Sequence, residues 1–253
     1  MFRRRKAPSP SSAPAVVSGV PALDATVSAE DRAILDKVAP FTMTGEARIL
    51  ALIDAVRYVV RRGIPGDFAE CGVWRGGSVL AMISVLQEAG IADRDIHLYD
   101  TFEGMTAPTE HDTSPLDPPA SETWEQAQES GERAWDMLFS PEVFNFDDVK
   151  ATVLGTGYPE ERIHFVKGPV EETLLTHVPD TLALLRLDTD WYESTKAEMD
   201  VLYPRLGAGG VLIVDDYGHW DGARRAVEEH FEAHGGELLL SRIDYTGRIG
   251  VKA

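Results

Sequence analysis

The sequence predicts an α/β fold built on a seven-stranded, mostly parallel sheet with an antiparallel strand at its C-terminal end. Short apolar runs alternate with stretches whose apolar residues recur at helical spacing, which is typical of strands joined by helical crossovers. The first apolar run leads directly into a glycine-rich turn at residues 72–77. The last two runs are joined by a short turn at residues 245–247, which indicates a hairpin rather than a crossover.

Two N-terminal helices precede the sheet. Residues 28–31 have the form of a capping box and begin a helix that ends near Val38. A longer helix, capped by Thr44, is predicted over Glu46–Arg62 and stops at Gly63. Helices join most of the strands that follow. The strands are predicted at 67–71, 96–100, 163–167, 182–188, 210–215, 238–243 and 247–252.

The chain of 253 residues suits one domain, which we place at residues 28–253. Residues 1–27 start with a basic run and continue through proline, serine and alanine, so we expect a disordered tail. Between residues 106 and 158 the strand and helix alternation gives way to a proline-rich, acidic stretch and then a helical pattern over 123–139. We interpret this insertion as a lid over the substrate, and the alternative is a surface excursion without a role.

The composition restricts the class of molecule on which the protein can act. The formal net charge of -18 argues against a nucleic-acid substrate, because phosphate backbones attract clusters of lysine and arginine. No apolar run approaches the roughly 20 residues that a membrane span needs. The single cysteine, Cys71, excludes an intrachain disulfide and agrees with a reducing compartment. We therefore expect a cytoplasmic protein that acts on small molecules.

A nucleotide-binding corner is predicted where the first strand ends. Glu70 closes the strand, and the glycines after it let the backbone approach a ligand at the start of a helix. Their spacing departs from G-x-G-x-x-G, which disfavours a dinucleotide. Asp100 ends the next strand, where ribose hydroxyls find their acceptor in doubly wound sheets. Both signals fit S-adenosylmethionine. The alternative for Glu70 is that it pairs with a basic residue or caps a helix. The candidate cofactor-binding residues of the corner are Glu70, Gly72, Trp74, Gly76, Ser78 and Asp100.

Four carboxylates follow two further strands. Asp188 and Asp190 come after one strand, and Asp215 and Asp216 come after the next. The carboxyl ends of parallel strands lie at one edge of the sheet, so these side chains should meet beside the glycine corner. Oxygen ligands without histidine or cysteine favour Mg²⁺ over zinc. The alternative is that Asp190 or Asp216 caps the helix after it. His219, which lies in the same loop as Asp216, is a candidate base or an ordinary loop histidine.

The motifs together resemble the macrocin O-methyltransferase family over about residues 40 to 235. The segments that carry the resemblance are GDFAECGVWRGGS at 66–78, LYDTFEGM at 98–105, VKG at 166–168, DTDWYEST at 188–195 and DDYG at 215–218. The resemblance implies a class I methyltransferase, Rossmann-like fold. It also implies S-adenosylmethionine-dependent, Mg²⁺-assisted methylation of a sugar hydroxyl on a glycosylated antibiotic, in an enzyme whose relatives often form homodimers.

The resemblance also implies roles for particular residues. Glu70 and Asp100 would face the amino-acid and ribose ends of the cofactor, and Lys167 and Gly168 would border its adenine. Asp190 would take the place suggested for the general base in some members. The metal ligands would be Asp188, Asp215 and Asp216, with Asp188 also assigned to the cofactor side. The tail and the insertion have no counterpart that we can match, so the acceptor stays open.

The reaction implied is an in-line displacement in which an acceptor oxygen attacks the sulfonium methyl group, with the metal holding the acceptor. Three alternatives remain from the residues alone. They are a metal-dependent catechol or phenol O-methyltransferase, an NAD-dependent oxidoreductase, and a non-catalytic binding protein that has kept the fold. The four acids argue against the last, because binding alone gives no reason to hold like charges together.

Overall fold

A seven-stranded sheet forms the centre of the computed structural model, which describes residues 26–235 and 238–253. The strands are β1 (Asp67–Cys71), β2 (Ile96–Asp100), β3 (Ile163–Lys167), β4 (Leu182–Leu187), β5 (Leu206–Val214), β6 (Ser241–Arg242) and β7 (Arg248–Val251). Their order across the sheet is β3-β2-β1-β4-β5-β7-β6, and β7 runs antiparallel to β5 and β6. The predicted α/β class, strand number and antiparallel C-terminal strand are confirmed. Residues 1–25 of the predicted tail lie outside the described residues.

Strands β5 and β6 differ from the prediction by more than one residue, and β4 and β7 differ by a single residue at one or both ends. Strand β5 begins at Leu206 rather than at 210, because Leu206 already pairs with Leu182 of β4. The glycine-rich segment 207–210, which weakens a strand pattern in sequence, is taken up in the register shift before Val211 pairs with Leu184. Strand β6 covers two residues rather than 238–243. It is the edge strand, and short edges limit unwanted pairing with other chains.

Nine helices surround the sheet within the described residues. They are α1 (Ala29–Val38), α2 (Glu46–Arg62), α3 (Gly77–Glu88), α4 (Ala120–Ser130), α5 (Asp136–Phe139), α6 (Phe146–Leu154), α7 (Val170–Thr173), α8 (Tyr192–Val201) and α9 (Asp221–His234). Ser28 caps α1 as predicted, accepting a hydrogen bond from the Asp31 amide at 3.0 Å. The prediction that Thr44 caps α2 is wrong, because the N-cap is Gly45, and the Thr44 hydroxyl instead accepts from Arg186.

Two apolar layers enclose the sheet. Helices α1, α2 and α3 cover one face, where Ile53 and Met82 are fully buried among strand residues. Helices α8 and α9 cover the other face through residues such as Met199 and Val227. Each of these side chains contributes roughly 1.5–3 kcal/mol by leaving water. Strand β4 is consequently buried at all six positions, one of which is Arg186.

The insertion between β2 and β3 is helical but not in the predicted form. The single helix expected over 123–139 is two helices, α4 and α5, because Gly131 ends the first in a left-handed conformation with φ of 75°. Helix α6 follows and packs against α3 through the buried Val149 and Val153. Every helix within residues 26–235 and 238–253 falls short of the length and apolarity that a bilayer-spanning segment requires.

Candidate active site

A cavity of about 220 Å³ opens at the carboxyl ends of β1, β2, β4 and β5. This edge of the sheet is where the sequence placed both the glycine corner and the acids. The candidate residues that line the cavity are Gly72, Trp74, Ser78, Asp100, Gly168, Asp188, Asp190, Asp215 and Asp216. The candidate residues that do not line it are Glu70, Gly76, Lys167 and His219.

The glycines of the corner allow protein segments to approach each other closely. A Cβ on Gly72 would lie 2.0 Å from the backbone oxygen of Asp188, so only glycine lets the ends of β1 and β4 meet here. Gly72 also has φ of 82°, which disfavours other residues. A Cβ on Gly77 would lie 2.6 Å from the backbone oxygen of Phe41. The glycines of the corner are therefore required by close contacts within the protein as well as by the space that a ligand needs.

Asp100 anchors the glycine corner. Its Oδ2 accepts hydrogen bonds from the amides of Val73 at 2.7 Å and Trp74 at 3.0 Å, and its Oδ1 accepts from the Phe102 amide at 2.6 Å. Burial raises the pKa of Asp100, and the three amides lower it. Because each carboxylate oxygen has two lone pairs, Asp100 can still accept from a ligand in the cavity.

Glu70 lies behind the cavity and pairs with a basic residue. Its Oε1 accepts from Arg186 at 2.6 Å, and both side chains are at most 2 % exposed. The other oxygen of Glu70, Oε2, is buried and has no hydrogen-bond partner among the described residues. Burial raises the pKa of Glu70, and Arg186 opposes that rise. The geometry matches the alternative role stated for Glu70, and a direct contact with a cofactor stays a prediction.

Two arginines hold the carboxylates that follow β4 and β5. Arg186 donates to Oδ2 of Asp188 and to Oδ1 of Asp215, each at 2.7 Å. Arg48 of α2 pairs with the other oxygen of Asp215. Asp188, Asp215 and Asp216 offer oxygens that all lie within 4.8 Å of one another. The three acids thus lie together, and their role as metal ligands stays a prediction. No role was assigned to Arg48 or Arg186 from the sequence.

Asp190 and Asp216 face each other beside that cluster. Asp190 has φ of 66°, and Asp216 and Trp220 are among the groups that act on its carboxyl. Burial first, and the charge of Asp188 second, raise the pKa of Asp190 to about 7. Helices α8 and α9 have the N-cap residues Trp191 and Trp220, without a side-chain cap bond. Capping by Asp190 or Asp216 is therefore not their role, and Asp190 is poised to exchange a proton near neutral pH.

Two other candidates lie away from the carboxylates. Lys167 pairs with Glu103 at 2.8 Å in a shallow depression that adjoins the cavity. His219 uses both ring nitrogens, since Nε2 lies 2.6 Å from Asp117 and Nδ1 lies 3.1 Å from the Tyr245 hydroxyl. The structure thus places His219 where it ties the insertion to the loop after β5, outside the cavity lining. A role for it as a base stays a prediction without a supporting contact.

Asp112 of the insertion is a site-supporting residue that sequence reasoning missed. It is 2 % exposed, and its Oδ1 accepts from the Tyr192 amide at 2.7 Å, which supplies the cap that α8 lacks. Its Oδ2 accepts from the Thr109 amide and hydroxyl. The adjacent Thr113 carbonyl accepts from the Asp221 amide at the start of α9. One turn of the insertion therefore joins the two helices that follow the carboxylates.

A tryptophan cluster covers the same loops. The rings of Trp191 and Trp220 meet edge to face with centroids 4.9 Å apart, and Trp135 of the insertion lies 5.5 Å from Trp191. The Trp191 indole donates to the Thr106 carbonyl at 3.0 Å. This cluster shields the loop that contains Asp190 from water.

A fully buried acid, Glu198 on α8, lies beneath the site. It accepts from the Thr189 hydroxyl at 2.9 Å, and the buried thiol of Cys71 adjoins it. Burial raises the pKa of Glu198 well above its ordinary value, and burial likewise raises the pKa of Cys71. Burial therefore favours the protonated form of the Glu198 carboxyl and of the Cys71 thiol, and a protonated thiol is unreactive.

Glu198→Gln should flatten the pH dependence of stability. Between the unfolded pKa and the raised folded pKa, the native state holds a proton that the unfolded state has lost, so the unfolding free energy of the natural protein falls as pH rises. The unfolding free energy of Glu198→Gln does not fall in this way. Its difference from that of the natural protein should therefore grow by up to about 1.4 kcal/mol per pH unit. Urea denaturation of both proteins between pH 5 and 8 measures it. Parallel stability curves would contradict a raised pKa of the buried Glu198 carboxyl.

Comparisons with known proteins agree with this architecture. The family model described as macrocin-O-methyltransferase (TylF) matches residues 20–249. A Streptomyces olivaceus protein named 8-demethyl-8-(2,3-dimethoxy-alpha-L-rhamnosyl)-tetracenomycin-C 4'-O-methyltransferase is 34% identical over 81% of this chain and 73% of its own. The mycinamicin III 3''-O-methyltransferase of Micromonospora griseorubida is 31% identical over 81% of this chain and 76% of its own.

A solved structure gives the same result in three dimensions. The O-methyltransferase NovP superposes with a TM-score of 0.71 at 29% identity, covering 84% of this chain and 82% of that one. The predicted class I methyltransferase fold is thereby confirmed. The strand order, the cavity at the carboxyl edge and the match across residues 20–249 lead to one conclusion. The chain belongs to the macrocin O-methyltransferase family and is an O-methyltransferase.

Proposed function

We propose that this enzyme transfers the methyl group of S-adenosylmethionine to a hydroxyl of a sugar in a glycosylated natural product. The observation that supports it most is the triad of Asp188, Asp215 and Asp216, with oxygens within 4.8 Å of one another at the wall of the cavity. Two relatives are named for methylation at a rhamnosyl-bearing tetracenomycin and at mycinamicin III. These names favour a sugar acceptor over a catechol or phenol.

The cofactor would occupy the part of the cavity between the glycine corner and Gly168. Trp74 and Asp100 line this part. Gly72 also lines it and contributes backbone without a side chain. The start of α3 adds amides that suit the carboxylate of the cofactor's amino-acid end. Lys167 in the adjoining depression would border the adenine.

The donor set fits a hard divalent cation such as Mg²⁺. All three ligands are carboxylates, the preferred chemistry of such ions. Oδ2 of Asp216 is buried and has no hydrogen-bond partner among the described residues, a costly arrangement unless a cation or donor meets it. Asp188 and Asp216 would hold the ion together with Asp215, whose oxygens Arg48 and Arg186 also contact. When bound, the cation would lower the pKa of the acceptor hydroxyl and orient it.

The protein residues then perform three tasks. Asp190 takes the proton of the acceptor hydroxyl, since it lines the cavity beside the proposed metal ligands. Arg186 fixes the orientation of Asp188 and Asp215. The tryptophans over the loop exclude water, which strengthens these charge interactions and favours the direct attack of oxygen on the methyl carbon.

The test is methyl transfer from S-adenosylmethionine with a deuterated methyl group to a panel of glycosides, their aglycones and simple catechols. We expect mass gain on a glycoside and none on its aglycone. Transfer to catechols with no glycoside active would replace the sugar assignment with the phenol alternative. Calorimetry with S-adenosylhomocysteine and with NAD separates the cofactors, and preference for NAD would overturn the proposal.

Asp112→Ala should lower kcat/KM by roughly ten- to a hundredfold, because the loops that follow β4 and β5 lose their common anchor and small misplacements of reacting groups are costly. Asn145→Ala is a matched control, since Asn145 caps α6 of the same insertion away from the carboxylates. Each variant loses one cap, worth about 1 kcal/mol of stability. Steady-state kinetics and urea denaturation separate the two effects. Equal kinetic losses in both variants would show that Asp112 has no special role.

A further inference from the structure

A second group of metal-ligand side chains lies at the opposite ends of α8 and α9 from the catalytic carboxylates. His230 and His234 are four residues apart on α9, the spacing that places two imidazoles on one face of a helix. Asp200 comes from the neighbouring helix α8. The three side chains offer ligand atoms within 4.8 Å of one another. This group takes no part in the chemistry described above.

His234 has the orientation of a metal-binding histidine. Its Nδ1 lies 3.0 Å from the backbone oxygen of His230, so the proton resides on Nδ1 and the lone pair on Nε2. Histidines that bind metals commonly donate their other nitrogen to a carbonyl in this way, which fixes the tautomer. The rings of His230 and His234 lie together with centroids 4.5 Å apart.

The spacing of His230 and Asp200 also suits adjacent ligands of a single ion. Nδ1 of His230 lies 3.0 Å from Oδ1 of Asp200. Bonds of about 2.0–2.2 Å in a tetrahedral site place neighbouring ligand atoms roughly 3.3 Å apart. The His230 side chain is 5 % exposed and is fixed by packing, whereas Asp200 at 38 % exposed can adjust. The rigid His230 and the more adjustable Asp200 and His234 can together coordinate one ion.

One oxygen of Asp200 faces the histidines. Lys196 pairs with Oδ2 of Asp200 at 2.8 Å, and Oδ1 lies 3.0 Å from Nδ1 of His230. Asp200 therefore presents one carboxylate oxygen to the position where an ion would lie between the two helices.

We propose that Asp200, His230 and His234 form a binding site for Zn²⁺ or a similar borderline transition-metal ion, which joins the C-terminal ends of α8 and α9. Two imidazoles and one carboxylate are a common zinc donor set, with water completing the coordination. The site stabilises the pair of helices from the end opposite the catalytic loops. It is independent of the proposed methyl transfer, and its test does not use that activity.

The experiment is calorimetric titration of the full chain with Zn²⁺ at pH 7.5, with millimolar Mg²⁺ present to occupy the catalytic carboxylates. We expect one tight Zn²⁺ per chain and a zinc-dependent rise in melting temperature. His234→Ala, at an exposed position, should weaken that binding by at least about tenfold and abolish the rise. Asp200→Asn, which keeps the volume of the side chain, should do the same.

His164→Ala is the matched control. His164 is also a partly exposed histidine paired with an aspartate, Asp95, but lies outside this group. We expect the zinc affinity of the His164→Ala variant to equal that of the natural protein. Unchanged binding in His234→Ala, or loss of binding in His164→Ala or in Asp188→Asn, would place the zinc elsewhere and overturn the proposal.

Discussion

Asp188→Asn should lower kcat by on the order of 10³-fold, which corresponds to about 4 kcal/mol of lost transition-state stabilisation. The amide keeps the shape of the side chain and can still bond to Arg186, but it removes one of the charges that would hold the cation. An acceptor hydroxyl that is poorly oriented and poorly acidified reacts slowly. Removal of metal with EDTA should have an effect of similar size on the natural enzyme, and added Mg²⁺ should reverse it.

Asp95→Asn is the control for that substitution. Asp95 pairs with Arg162 and His164 at the start of β2, the end of the sheet away from the cavity. It should retain kcat within about twofold, since surface ion pairs contribute little. Binding of Mn²⁺ in place of Mg²⁺, measured by calorimetry, should weaken in Asp188→Asn and not in Asp95→Asn. Full turnover by metal-free enzyme, or by Asp188→Asn, would refute the metal-assisted mechanism.

The strands and the position of the cavity could be predicted because they depend on local patterns. Strands β1, β2, β4 and β5 end at residues 71, 100, 187 and 214, each with an acid at or next to its end, and parallel strands bring such ends to one edge. The prediction that Asp188, Asp215 and Asp216 meet needed only this rule. Helix ends were less predictable, as Gly131 shows, because a single glycine decides whether a helical pattern continues.

The supporting contacts of the site could not be derived in the same way. Arg48 meets Asp215 across 167 positions, and Asp112 meets Tyr192 across 80, so no local pattern links them. One signal was available. Arg186 is the lone charge within the apolar run of β4, and a charge on a strand buried on both faces needs partners. The same argument would have paired Glu70, at the end of the neighbouring strand, with Arg186.

Arg186→Met should destabilise the fold by about 3–5 kcal/mol, because it leaves buried carboxylates without their counter-charge. Methionine fills a similar volume but donates nothing to Glu70, Asp188 or Asp215. Arg162→Met is the matched control, since Arg162 pairs with an aspartate at 2.6 Å while 40 % exposed, and its loss should destabilise the fold far less. Urea denaturation of both variants gives the two values.

A double substitution distinguishes lost charge compensation from lost packing. Glu70→Gln in the Arg186→Met background removes one of the uncompensated acids, so the double variant should be more stable than Arg186→Met alone, by about 1–2 kcal/mol. In the natural background, Glu70→Gln should instead be destabilising, because Arg186 then loses a partner that is itself fully buried. If the Glu70→Gln effect has the same sign in both backgrounds, packing rather than charge accounts for the role of Arg186.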